Sequence, residues 1–159
     1  MRLKHLSWLP AFLIMVMIFS FSSKPASISE ESSLGISKSI LQIYERIQGH
    51  TYPDDIRMKK LMNIDHFVRK SAHFTEYALL AIAIGFHLWT RRRNTKMLIL
   101  LSIGISLIYA TTDEFHQLFV QGRSGRIQDV MIDTAGAATG ILVFCIIIVT
   151  LKRKRPNRS

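Results

Sequence analysis

Apolar residues in this chain gather into four runs separated by charged and polar stretches. Leu6 to Ser23, Ser71 to Trp89, Met97 to Val120 and Val130 to Leu151 are each long enough to cross a hydrocarbon core of about 30 Å as a helix rising about 1.5 Å per residue. The pattern predicts an all-α, polytopic membrane protein with four transmembrane helices. Between the first two runs, Ile36, Ile40, Ile43, Tyr44 and Ile47 recur at helical spacing, while Ser37, Lys38, Gln42, Glu45 and Arg46 take the other face. An amphipathic helix in the first outer loop follows, lying on the leaflet or capping the bundle; a small extracytoplasmic helix packed on its neighbours is the alternative. Gly49, Pro53 and the Asp54-Asp55 pair break it. A second helical stretch from about Ile56 then runs through Asp65, Arg69 and Lys70 into the second span.

This gives four segments along a single domain: 1–23 as an N-terminal transmembrane anchor, 24–69 as an extracytoplasmic helical segment, 70–151 as the transmembrane core, and 152–159 as a basic cytoplasmic tail. The first segment also has the basic start and apolar run of a cleavable signal peptide. A retained anchor is the preferred reading because no clean A-x-A cleavage site follows.

Charge fixes an orientation. The net +10 could suggest nucleic acid, but the basic residues alternate with the spans instead of lining one face. Arg2 and Lys4, then Arg91, Arg92, Arg93 and Lys96, then Lys152, Arg153, Lys154, Arg155 and Arg158 form three groups without an acid among them. Placing them in the cytoplasm satisfies the positive-inside rule and puts all 11 acidic residues outside. Both termini are then cytoplasmic, and no nucleic-acid partner is expected. His5 and His87 fall near the inner side as interfacial residues, with Trp8 and Trp89 as anchors. Cys145 is the single cysteine, mid-span, so no internal disulfide can form.

The candidate chemistry lies in three short stretches that this topology brings to one membrane face. On the second span, Lys70, His73 and Tyr77 share a helix face with Glu76 at its edge; on the third, Asp113, His116 and Gln117 are co-facial. The connection 121–126 carries Arg123 and Arg126 and leads to Asp129 and Asp133, one turn apart at the start of the fourth span. Ionised groups at membrane depth are costly and normally face partners or a wet cavity. A plainer alternative is that Lys70, Arg123 and Arg126 only neutralise Glu76, Asp113, Asp129 and Asp133 to hold the bundle together. Gly136 and Gly140 form a GxxxG packing face on which a homodimer could form.

Three linked motifs resemble the VanZ-like membrane proteins: Lys70-x-x-His73-Phe74-x-x-Tyr77; Asp113-Glu114-x-His116-Gln117; and Gly122-Arg123 followed by Asp129-Val130-x-Ile132-Asp133-Thr134-x-Gly136. They cover Arg69 to Gly140, in the family's order. Gln121 stands where the family often has proline. The resemblance implies a multi-pass protein of the bacterial cell membrane, and an association with lowered susceptibility to the lipoglycopeptide teicoplanin. It assigns no catalytic roles.

Two functional classes follow. In the first, Lys70, His73, Glu76, Tyr77, Asp113, Gln117, Arg123, Arg126, Asp129 and Asp133 form an outer-leaflet site for an anionic lipid head group, a lipid-linked cell-wall precursor or a lipoglycopeptide. The arginines clamp phosphate or carboxylate, and the neutral and acidic groups orient donors. No metal or cofactor is expected there. In the second, His73 with Glu76 and Asp113 with His116 serve an intramembrane enzyme. Their i, i+3 spacing suits acid–base work or ligation of zinc, iron or manganese, but there is no H-E-x-x-H motif and no nucleophile elbow.

Overall fold

The computed structural model describes residues 6–153, with side chains through residue 151. The expected roles of Arg2, Lys4 and His5, and of the tail side chains from Lys152 onward, fall outside that range. The described chain forms five helices and no strand: α1 (Leu9–Ser22), α2 (Ala26–Gln48), α3 (Asp54–Thr90), α4 (Thr95–Gln117) and α5 (Ile127–Arg153).

Local chemistry sets the boundaries. Pro10 sits in the first turn of α1, where no intrahelical hydrogen bond is lost. Gly49 closes α2 in the left-handed region at φ 70°. Asp54 and Asp55 sit in the first turn of α3, at the positive end of its dipole. Asn94 caps α4 by accepting the Met97 N–H at 2.7 Å. From Asp54, α3 continues unbroken for 37 residues, or about 55 Å, past Asp65, Arg69 and Lys70.

The apolar core lies between the second half of α3 and its neighbours. Tyr77, Leu80, Ala81 and Ile84 pack with Ile18 of α1, Leu98 and Ala110 of α4, and Ala137 and Ile141 of α5. Helices α3 and α5 touch backbone to backbone. A Cβ on Gly136 would strike the Phe74 backbone, and one on Gly140 the Ala78 backbone. The GxxxG face is therefore closed inside one chain, and a homodimer would need another surface.

Two expectations are met in part. Only α4 and residues 127–151 of α5 are long and apolar enough to cross a membrane; a third span results if α1 and α2, bent by 104° at their junction, count as one broken span. Two or three of the four expected spans therefore meet this test of length and composition. Within the described residues the first run forms a 14-residue helix, about 21 Å long, below the length this test requires. The second run is diluted by the polar groups His73, Glu76 and His87 that it carries. At the far end of α3 from the polar stretch, the His87 ring meets Ser7 Oγ at 2.8 Å.

The second concerns α2, whose two faces the pattern left unassigned. Its buried face is Ser33, Ser37, Leu41 and Glu45. The apolar face is exposed, with Ile36 at 58%, Ile43 at 57% and Ile47 at 77%. Polar groups of α3 explain this choice of face. The Asp65 carboxylate, 0% exposed, accepts from Ser33 Oγ at 2.6 Å and Ser37 Oγ at 3.1 Å and pairs with Arg69 at 3.1 Å. Glu45 receives a two-pronged contact from Arg57, at 3.0 and 3.2 Å. A buried carboxylate demands such donors, so α2 turns its hydroxyls inward and leaves its isoleucines outside.

Candidate functional site

Where α1 ends, α2 begins and α3 passes, the chain encloses a cavity of about 680 Å³, within the size range of small-molecule sites. Of the expected residues, Lys70, His73, Glu76, Gln117, Arg123, Arg126, Asp129 and Asp133 line it. The three stretches, far apart in sequence, therefore meet at one end of the bundle. Tyr77, Asp113 and His116 are not in its wall. Tyr77 is 0% exposed and packs in the core against Tyr109, at 6.2 Å between ring centres. Asp113 lies behind the wall, accepting from Ser22 Oγ at 2.9 Å and from Gln117 Nε2 at 3.1 Å. His116 turns aside to lie against Phe19, with the ring centres 4.8 Å apart and the rings tilted by 41°.

The α4 face is thus Asp113, Glu114 and Gln117 rather than Asp113, His116 and Gln117. At about 100° per residue, positions 114 and 116 flank the 113/117 line on opposite sides. Glu114 takes the inward side, where its carboxylate accepts the Arg126 backbone N–H at 2.8 Å and a Gln117 amide N–H at 3.2 Å. Glu114 is a lining residue that the spacing argument passed over, though it stands inside the motif.

The cations differ in how far they are committed. Lys70 pairs with Asp129 across the α3–α5 interface. Arg123 donates to the carbonyl oxygens of Lys24 at 2.9 Å and Phe21 at 3.1 Å and to Gln117 Oε1 at 3.3 Å. Its guanidinium therefore caps the end of α1, whose last carbonyls have no helical partner. Partial burial pulls its pKa down from the ordinary arginine value, against the pull of Asp113, and leaves it charged. Gly122, at φ 76°, brings the same loop to within 3.1 Å of the Ala26 side chain, measured from an ideal Cβ, and the neighbouring Gln121 carbonyl accepts the Ala26 N–H at 3.1 Å. The Gly-Arg motif thus fastens the α1–α2 bend. The acceptor at 121 is a backbone carbonyl, which a proline would also offer, so the Gln121 departure costs nothing here.

Arg126 is left nearly free. Its side chain is exposed and, among the described residues, donates only to Ser124 Oγ, at 3.2 Å. Lys24, also exposed, lies 5.2 Å over the Phe21 ring. On the acidic side, His73 Nδ1 stands 3.7 Å from Glu76 Oε2, too far for a hydrogen bond. Asp133 is 1% exposed, and neither of its oxygens has a hydrogen-bond partner among the described residues. Among the described residues, no three His, Cys, Asp or Glu side chains converge as a metal-binding group. The geometry therefore gives the paired His73–Glu76 and Asp113–His116 no shared centre.

Compared with known families, residues 7–148 match VanZ/LLP1. The chain belongs to that family. The VanZ/LLP1 match begins well before the Arg69 boundary of the sequence resemblance and takes in α1 and α2. Those helices supply wall residues that no motif announced: Phe21 and Lys24 at the α1–α2 bend, and Ser29, Glu30 and Ser33 on α2. The structural reason is plain, since the motif residues Gly122 and Arg123 grip this bend directly. No curated protein and no solved structure matches this VanZ/LLP1 chain.

Proposed function

We propose that this VanZ/LLP1 protein is a four-pass protein of the bacterial cell membrane with both termini cytoplasmic, and that its cavity opens on the extracytoplasmic side to hold the head group of an anionic or lipid-linked envelope molecule. The orientation rests on the three cytoplasmic basic groups of the sequence. The observation that carries the binding reading is Arg126, a guanidinium at the cavity wall with no carboxylate partner of its own. A guanidinium presents a planar fork of donors suited to phosphate or carboxylate. The wall also carries apolar side chains, Phe21, Ile36, Val68 and Ile132, on which an acyl chain can lie. The exposed isoleucine face of α2 supports a place for that helix on the outer leaflet.

In this reading the roles expected of the cations separate. Arg126 and Lys24 meet the ligand; Arg123 and Lys70 build the walls. Sequestering a lipid-linked wall precursor, or altering the access of a lipoglycopeptide to it, would lower susceptibility to teicoplanin. The test is native mass spectrometry of the full chain in mild detergent. An anionic lipid retained by the wild type and lost from Arg126→Gln, with unchanged thermal stability, is the expected outcome. Equal lipid retention by the variant overturns the assignment. A strain lacking the protein is expected to show altered teicoplanin susceptibility; no change removes that role.

A further inference from the structure

Asp133 lines the cavity from α5 and yet is only 1% exposed, with no hydrogen-bond partner on either oxygen among the described residues. A buried carboxyl group without a donor is among the most costly features a fold can keep. Packing gives no reason for it, because α5 makes its close approach to α3 through Gly136 and Gly140. Its electrostatic neighbours Glu114, Asp113, Asp129 and Glu76 are carboxyl groups, and the buried Tyr77 hydroxyl nearby makes no hydrogen bond to it. The nearby cations are engaged elsewhere, Lys70 with Asp129 and Arg123 with the carbonyls that end α1. Asp133 and the lining residue Glu76 therefore offer acceptors to the cavity, while Arg126 and Lys24 offer cations to it.

Resting on the head-group reading above, we infer that the ligand is a phosphodiester lipid whose head group itself carries hydrogen-bond donors, hydroxyl or ammonium. Its phosphate meets Arg126 and its donors meet Asp133. A donor that reaches a buried, unpartnered carboxyl oxygen satisfies a group that is costly to leave bare, so a head group lacking donors leaves the dominant interaction unmade.

The test uses the full chain in nanodiscs with three lipids of identical tails. Phosphatidylmethanol carries one negative charge and no donor, phosphatidylglycerol the same charge with hydroxyls, and phosphatidylethanolamine an ammonium. The wild type is expected to bind phosphatidylglycerol or phosphatidylethanolamine at least about tenfold more tightly than phosphatidylmethanol, and the preferred one identifies the donor. Asp133→Asn should bring that preference to within about threefold, on the same grounds. Glu76→Gln should reduce it in part, and decides the matter if Asp133→Asn fails to fold. Equal binding of all three lipids, or a preference that survives in a folded Asp133→Asn or, failing that, is undiminished in Glu76→Gln, ends this inference and leaves the head-group reading standing. Wild-type protein that binds none of the three overturns both.

Discussion

The α3–α5 seam and the α2–α3 hairpin are both helix pairs, but they bury opposite chemistry. At the seam, Gly136 and Gly140 let two backbones touch beneath a core of Tyr77, Leu80 and Ile141. In the hairpin the interior is Ser33, Ser37, Asp65 and the Glu45–Arg57 pair, while Ile36, Ile40, Ile43 and Ile47 face outward. In lipid there is no hydrophobic gain from hiding isoleucine, so close packing and polar contacts hold helices together. Each pair uses one of these two means. The cavity lies where they join, with one wall from the polar hairpin and the other from the seam.

Breaking the seam should have the largest effect. Gly140→Leu drives a branched side chain into the Ala78 backbone. A loss of about 3 kcal/mol or more is expected, or failure to accumulate, read by thermal unfolding in detergent. A wild-type melting curve would mean that α3 and α5 do not touch as described. Next comes Asp65→Ala, which strands two serine hydroxyls and Arg69. It should cost about 2–3 kcal/mol and, unlike Gly140→Leu, should raise hydrogen exchange in α2 ahead of α5. Uniform exchange across the chain would erase the distinction between the two regions.

Arg123→Lys tests the joint between them. A lysine has no fork with which to reach both the Phe21 and Lys24 carbonyls, and a loss of about 1–2 kcal/mol is expected. The spectroscopic distance between labels on α1 and α2 should broaden with it; an unchanged distance distribution would show that the arginine does not set the bend. The smallest effect belongs to Ile47→Ser, at a side chain 77% exposed. Stability in detergent should change by no more than about 0.5 kcal/mol. Quenching of a fluorophore on α2 by lipid-bound quenchers should fall. An appreciable destabilisation would place Ile47 in a protein interior and reverse the account of the hairpin.

Much of the site was legible in one dimension. Lys70, His73 and Glu76 fall on one helical stripe, and the expected topology of alternating apolar runs brings that stripe to the end of α4 and the start of α5. The orientation of α4 was less legible. Asp113 with His116 and Asp113 with Glu114 fit the helical period almost equally well, and only the neighbours, Phe19 on one side and Arg126 on the other, decide between them. The face of α2 was read with its sides unassigned because periodicity reports that two faces exist, not which of them meets protein. Nothing local marks Ser33 and Ser37 as inward; their partner Asp65 lies 28 and 32 residues away.

The sequence by itself determined a helical membrane protein, the family motifs and the convergence of their charged residues, because these follow from hydropathy, helical period and the high cost of charge in lipid. Tertiary structure decided which charges remain free. Lys70 and Arg123 look equivalent to Arg126 in the sequence, yet one is held by Asp129 and another by the end of α1, while Arg126 keeps only Ser124. Whether a charge is spent on the fold or left for a ligand depends on donors and acceptors from distant segments, and that distribution exists only once the chain has closed around the cavity.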